Sequence, residues 1–310
     1  SNMCALQCNR CEWSSCPVVQ RQDTLGPPFW LSEERANSLE LVPRPGFNKD
    51  SPMPVVWAHR REAEEAAVQE HGLDKLGSAR RRIEALFQKS WAAQPPPLDV
   101  AGSVILLHGT GGTGLEMFAA ADEEGLRVGL ERRGLRLVCP DAPFRCLGFW
   151  AGEHLQAWFD RRRVQPNGAY VDSEDNLIEM CAEIQTLVNE ELQRTNNGAI
   201  FLVGFSTGAA MAIHAAARLA GLEGAASMAG WLPRGSPTYA RLAAGCPTRR
   251  VLCMYGNQDE IVNQEWMQRS GAQVCDTAKQ GGADAACIVL NQVRHHLHGA
   301  AVTALLSWID

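Results

Sequence analysis

Ala199-Ile-Phe-Leu-Val-Gly-Phe-Ser-Thr-Gly-Ala-Ala-Met-Ala212 is the stretch that decides the fold of this chain. A short apolar run rich in β-formers ends at Gly204. A helical pattern over Ala209 to Leu219 begins at once, with Met211, Ile213 and Leu219 on its apolar side. The corner between them, Gly204-Phe-Ser-Thr-Gly208, has the form G-x-S-x-G. A strand that turns sharply into a helix brings backbone against backbone, which leaves room only for glycine two residues either side of the serine. Ser206 is then held in a strained turn with its Oγ projecting and a helix N-terminus behind it, the setting of a nucleophile. The plainer alternative is a glycine-flanked serine that only caps the helix.

The same alternation extends outward from this corner. Strand-like runs at Val104 to Leu107, Leu135 to Cys139, Ile200 to Val203, Ala225 to Met228, Val251 to Tyr255 and Cys287 to Val293 are separated by helical stretches. The clearest helices are Met117 to Arg133, Glu174 to Arg194, Ala209 to Ala220, Asn263 to Cys275 and His298 to Trp308. Strand, helix, strand in succession predicts an α/β fold, a mostly parallel sheet with helices on both faces. Such sheets bind ligands at the carboxyl ends of their strands. Upstream, Val55 to Trp91 is rich in Arg, Glu, Ala and Leu at helical spacing, broken at Gly72 and Gly77, and Gln94-Pro-Pro-Pro-Leu98 stops it. The expected organisation is a Cys/Pro-rich arm over 1–54, a helical extension with its proline linker over 55–97, and an α/β catalytic domain over 98–310.

The chain has 310 residues, 45% hydrophobic and 21% charged, with a net charge of −6. That composition is of an ordinary globular protein, and the acidic balance argues against a nucleic-acid partner. With no apolar run of roughly 18 residues, no integral membrane segment is expected; peripheral membrane contact stays open. Residues 1–22 are polar and studded with cysteine rather than laid out as a signal peptide, so a cytoplasmic location is expected. Eleven cysteines are present. Seven of them, at 139, 146, 181, 246, 253, 275 and 287, read as small buried hydrophobes in a reducing compartment. Cys4, Cys8, Cys11 and Cys16 could hold a metal or carry acyl chains, but neither spacing matches a defined motif and a flexible leader is the plainer reading.

The first strand runs into His108-Gly-Thr-Gly-Gly-Thr-Gly114, in which Gly109, Gly111 and Gly114 satisfy G-x-G-x-x-G, and Asp141 follows the next strand. That supports a rival from another class, a dinucleotide-binding oxidoreductase. Glu116 at the head of the following helix would crowd a pyrophosphate, and that reading leaves the serine corner without a purpose. A His-Gly loop after an early strand can instead aim backbone N–H groups at the nucleophile. A serine nucleophile needs a base and a group to orient it. Asp259, on the loop after Val251 to Tyr255, is the candidate acid, with Glu260 beside it as the alternative. His295, His296 and His298 cluster after the last strand, so the order Ser, Asp, His is that of the α/β-hydrolases.

From about Val100 onward the chain resembles the acyl-protein thioesterase and carboxylesterase branch of those hydrolases, the phospholipase/carboxylesterase family. The matching pieces are Leu107-His-Gly-Thr-Gly111, Ala157-Trp-Phe-Asp160, Gly204-Phe-Ser-Thr-Gly-Ala-Ala-Met211, Gly230-Trp-Leu-Pro233, Gly256-Asn-Gln-Asp259 and a terminal histidine followed by a helix. The resemblance implies the α/β-hydrolase fold, Ser206 as nucleophile, Asp259 as acid, and the N–H groups of Thr110 and Thr207 as oxyanion hole. Aligning Ile288 to Val293 with the family's last strand puts His298 at the base position; counting back from the final helix favours His295, and His296 is the third alternative. Phe149, Trp150, Trp158 and Trp231 are the candidate acyl-groove residues. No metal or cofactor is implied. The implied substrates are acylated proteins or small acyl esters, as for an acyl-protein thioesterase (depalmitoylase) or lysophospholipase-like enzyme. The alternatives are a general carboxylesterase, the oxidoreductase above, or a catalytically silent binding module.

Overall fold

The computed structural model describes residues 100–150, 152–164 and 169–310; the expected arm, helical extension and four-cysteine cluster of residues 1–97 lie outside the described residues. Strands Gly102–Leu107 (β1) and Ala199–Phe205 (β7) are buried along nearly their whole length, as central strands of a sheet covered on both faces must be. They pair in parallel. With Leu135–Val138 (β2), Gly224–Met228 (β8), Arg250–Gly256 (β9) and Asp284–Leu290 (β10) they form a six-stranded parallel sheet in the order β10-β9-β8-β7-β1-β2. The chain winds one way from β1 to β2 and the other way from β7 to β10. The reversal falls between β1 and β7, and a crevice opens at the carboxyl ends of strands at such a switch point.

The two-residue period of the strands divides the core. Val104, Leu106, Phe201, Val203 and Phe205 pack with helices Gly114–Glu123 (α1), Leu126–Glu131 (α2) and, from the end of the chain, Gly299–Ile309 (α7). Ile105, Leu107, Ile200 and Leu202 pack on the other face with Glu174–Arg194 (α3), Thr207–Ala216 (α4), Pro237–Ala244 (α5) and Gln264–Gln280 (α6). Among the described residues, no helix is long and apolar enough to cross a membrane.

Three features depart from the sequence expectations. The helix expected over Met117 to Arg133 is two helices, because Gly125 takes φ 80° and turns the chain between α1 and α2. The last strand spans 284–290 rather than 287–293. Asp284-Ala-Ala-Cys287 lacks the β-branched residues that mark a strand, yet it pairs with β9 from Arg250 onward, and Gln292 ends the strand with φ 60°. Finally, two antiparallel hairpins unforeseen from the sequence, Phe144–Leu147 (β3) with Glu153–Gln156 (β4) and Arg161–Val164 (β5) with Ala169–Asp172 (β6), intervene between β2 and α3. The seven cysteines of the described residues are free thiols, but Cys146 and Cys287 are exposed rather than buried.

Candidate active site

Ser206 has φ 56° and ψ −117°, a conformation that costs a non-glycine residue of order 1–3 kcal/mol and persists only where its surroundings over-determine it. They do so here. Its N–H donates to Met228 O at 2.9 Å, tying the corner to β8. A Cβ on Gly204 would lie 2.1 Å from Gly208 O, and one on Gly208 would lie 2.5 Å from the carbonyl oxygens of both Leu107 and His108. Those two glycines therefore let β1, β7 and α4 converge behind the serine.

The histidine brought to this serine is His295. Its Nε2 lies 3.1 Å from Ser206 Oγ, and its Nδ1 lies 2.6 Å from Asp259 Oδ2. The other carboxylate oxygen of Asp259 accepts the N–H groups of Ile261 at 3.0 Å and Val262 at 2.7 Å. With Nδ1–H donated to the carboxylate, Nε2 is left as the acceptor for the serine hydroxyl. All three side chains are buried. Glu260, the alternative acid, accepts the backbone N–H of His295 at 3.2 Å and pairs with Arg294, so it braces the loop instead of meeting the ring.

His298 is not at the serine. It caps helix α7, its Nδ1 accepting from Ala300 N at 3.0 Å, and His296 packs against it with ring centroids 5.3 Å apart. The correction follows from β10: the strand begins and ends three positions earlier than its apolar pattern suggests, and the histidine it delivers is displaced by the same three.

The loop after β1 faces the serine. A Cβ on Gly109 would lie 3.2 Å from Ser206 Cβ, so glycine there admits the serine. Thr110 and Thr207 both line the cleft at Ser206, with their hydroxyl oxygens 2.9 Å apart. Thr207 is the first residue of α4, so its N–H has no intrahelical acceptor. The loop is pinned by Gly111 N donating to Gln156 O at 2.8 Å and by buried His108, whose Nε2 accepts Ala142 N at 2.9 Å while Nδ1 donates to Gly109 O at 2.7 Å. The helix end that a dinucleotide would need is already filled: Asp141 accepts Gly114 N at 2.6 Å, and Thr113 and Glu116 form a capping box.

Burial pushes the His108 ring down from 6.5 to about 4. The folded state therefore holds a neutral ring, and its contribution to stability is complete above about pH 6.5. As pH falls from there towards 4 the unfolded chain takes up a proton that the folded chain refuses, and on the order of 3 kcal/mol is lost. A melting-temperature profile should fall across this window, and His108→Asn, which cannot titrate, should flatten it. Identical slopes in both proteins would contradict this assignment.

An open cleft includes Ser206 in its lining and is walled by Leu147, Trp150, Phe159, Trp231, Ile261 and Trp266, with Asp160 and Arg161 as its charged members. Of the candidate acyl-groove residues, Trp150 and Trp231 line this cleft. Trp158 does not: it is 1% exposed, and its indole N–H donates to His108 O at 2.8 Å, so it supports the glycine loop from behind. The side chain of Phe149 lies outside the described residues. Sequence reading missed Phe159, Arg161 and Trp266; Phe159 lay inside the Ala157 to Asp160 piece and Arg161 directly after it, and no local pattern marks either as a cleft residue.

A strained serine at a strand-to-helix corner, hydrogen-bonded to a carboxylate-held histidine at the switch point of a parallel sheet, defines the serine α/β-hydrolases. Residues 91–310 match the phospholipase/carboxylesterase family model, and the chain belongs to that family of serine hydrolases. It is 26% identical over 213 residues to mouse lysophospholipase-like protein 1, covering 67% of this chain and 86% of that one. Among solved structures it resembles Zea mays acyl-protein thioesterase 2, with 22% identity, TM-score 0.55 and 69% and 94% of the two chains covered. It also resembles the Bacillus cereus carboxylesterase, with 20% identity, TM-score 0.52 and 73% and 98% covered.

Proposed function

We propose that this protein cleaves acyl thioesters or carboxylic esters through Ser206, His295 and Asp259, in the manner of acyl-protein thioesterases, which remove acyl groups such as palmitoyl from proteins, and of lysophospholipase-like enzymes. The observation that carries this reading is the unbroken hydrogen-bond chain from Ser206 Oγ through His295 to Asp259. His295 Nε2 takes the serine proton as Oγ attacks the acyl carbonyl, and Asp259 holds the resulting imidazolium. The N–H groups of Thr110 and Thr207 receive the oxyanion, each worth on the order of 3 kcal/mol. His295 then protonates the leaving thiolate or alcohol, and water repeats the sequence on the acyl-enzyme. The free cysteines of the described residues fit a reducing, cytoplasmic location.

A second reading, a carboxylesterase acting on small molecules, is favoured by one observation: the guanidinium of Arg161 stands in the cleft wall, where a long alkyl chain gains nothing from a charged neighbour. Rates on acyl thioesters and oxyesters of increasing chain length separate the two. The first test is labelling with a fluorophosphonate. The expected adduct maps to Ser206 by mass spectrometry and is lost in Ser206→Ala. A folded wild-type protein that takes no label would overturn the hydrolase mechanism.

A further inference from the structure

Arg161 opens β5 and lines the same cleft as Ser206. Its Nε donates to Asp172 Oδ1 at 2.5 Å, and its Nη2 donates to Asp172 Oδ2 at 3.2 Å and to Trp231 O at 3.0 Å. The guanidinium carbon lies 4.0 Å from the centroid of the Trp231 ring and 5.5 Å from that of Phe159. Asp172 is itself fixed from behind: its Oδ2 accepts His214 Nε2 at 2.9 Å, and His214 Nδ1 meets Thr238 Oγ1 at 2.6 Å. Burial pushes the His214 ring down, which keeps it neutral with its proton on Nε2. Burial pushes the Asp172 carboxyl up, but Arg161 and His214 pull it down to about 2, so the pair with Arg161 is ionised.

This buried chain from α5 through α4 and β6 to the cleft has no part in the triad. Its effect is to hold one guanidinium rigid. An arginine carries five N–H donors. Nε uses one and Nη2 two, and for the pair on Nη1 the described residues supply no acceptor. An alkyl chain laid against Nη1 would strip its water and return no hydrogen bond, whereas an oxygen acceptor would replace that water.

We propose that Arg161 selects the acyl group, its Nη1 receiving an oxygen acceptor at the far end of the chain, so that the preferred substrates are esters or thioesters of short acids tipped with a carboxylate or a carbonyl. This deepens the hydrolase reading above and rests on it. Asp172, His214 and Thr238 are positioning residues for Arg161.

The test uses the full chain and nitrophenyl esters on the same six-carbon acyl backbone: hexanoate, the half-ester of adipate, and that half-ester with its free carboxyl methylated. Wild type should favour both tipped esters over hexanoate by about tenfold or more in kcat/KM. The double variant Arg161→Met/Asp172→Asn, which avoids leaving a buried carboxylate unpaired, should bring that ratio close to one and raise the relative rate on longer alkanoates. Fluorophosphonate labelling of Ser206 in both proteins reports on the triad independently. Labelled wild type that hydrolyses hexanoate as fast as the tipped esters overturns the assignment of Arg161 and leaves the hydrolase reading standing. So does a tip preference unchanged in a folded double variant. A folded wild type that takes no label overturns both. If the double variant does not fold, the wild-type comparison alone decides.

Discussion

His295→Ala is expected to lower kcat on an activated ester by on the order of 10⁴- to 10⁶-fold, while His298→Ala leaves turnover within about twofold of wild type. The first change removes the acceptor 3.1 Å from Ser206 Oγ, and no other imidazole among the described residues is hydrogen-bonded to that oxygen. Members of a triad act as a unit, so the loss of the base alone costs nearly the whole of their joint contribution. The second change removes only the acceptor for Ala300 N at the start of α7. That costs about 1 kcal/mol of stability, read as a drop of a few degrees in melting temperature. Steady-state kinetics with a melting curve on each variant decides between them. A folded His298→Ala protein that has lost turnover, beside an active His295→Ala, would refute the geometry.

Asp259→Asn should cost on the order of 10⁴ in kcat with the fold intact, for a reason visible in its contacts. The N–H groups of Ile261 and Val262 both point at Oδ1. In the variant those two donors demand the amide oxygen at that position, which turns the amide NH₂ towards His295 Nδ1. Nδ1 must then accept, Nε2 carries the proton, and the ring presents a donor to Ser206 where a base is needed. Asp259→Ala, which leaves the tautomer free, should be no worse in rate despite losing more contacts. Pre-steady-state acylation rates at pH 7 measure the difference. An Asn variant within about tenfold of wild type would show that the tautomer is not controlled from Asp259.

The elbow was legible in the sequence because part of its cause is local. The clash that excludes a side chain at Gly204 is with the backbone of Gly208, four residues on. Gly208 is instead closed off by the Leu107 and His108 carbonyls at the end of β1, a tertiary contact that the G-x-S-x-G spacing marks but does not explain. Asp259 was legible for a similar reason, since it follows a strongly apolar strand on a short loop. His295 was harder to read. Its position depends on where β10 stops, and β10 begins in residues with little strand character that are recruited by pairing with β9. Tertiary pairing overrode the local pattern by three residues, and three residues separate His295 from His298. The cleft walls were less legible still, because β3 to β6 are short and partly exposed and carry no clean periodicity.

The sequence by itself thus determined the α/β class, the corner that strains Ser206, and the chain order of the serine, the aspartate and the histidine cluster that meet at the site. The first two follow from apolar spacing and glycine placement within a few residues, and the third is read directly off the chain. Only the tertiary structure decided which histidine meets Ser206, that Trp158 supports the glycine loop while Trp150 and Trp231 line the cleft, and that Arg161 is clamped by Asp172 and His214. Those contacts join residues 11 to 89 positions apart, and no local rule of spacing or propensity encodes which side chains meet once the sheet has closed.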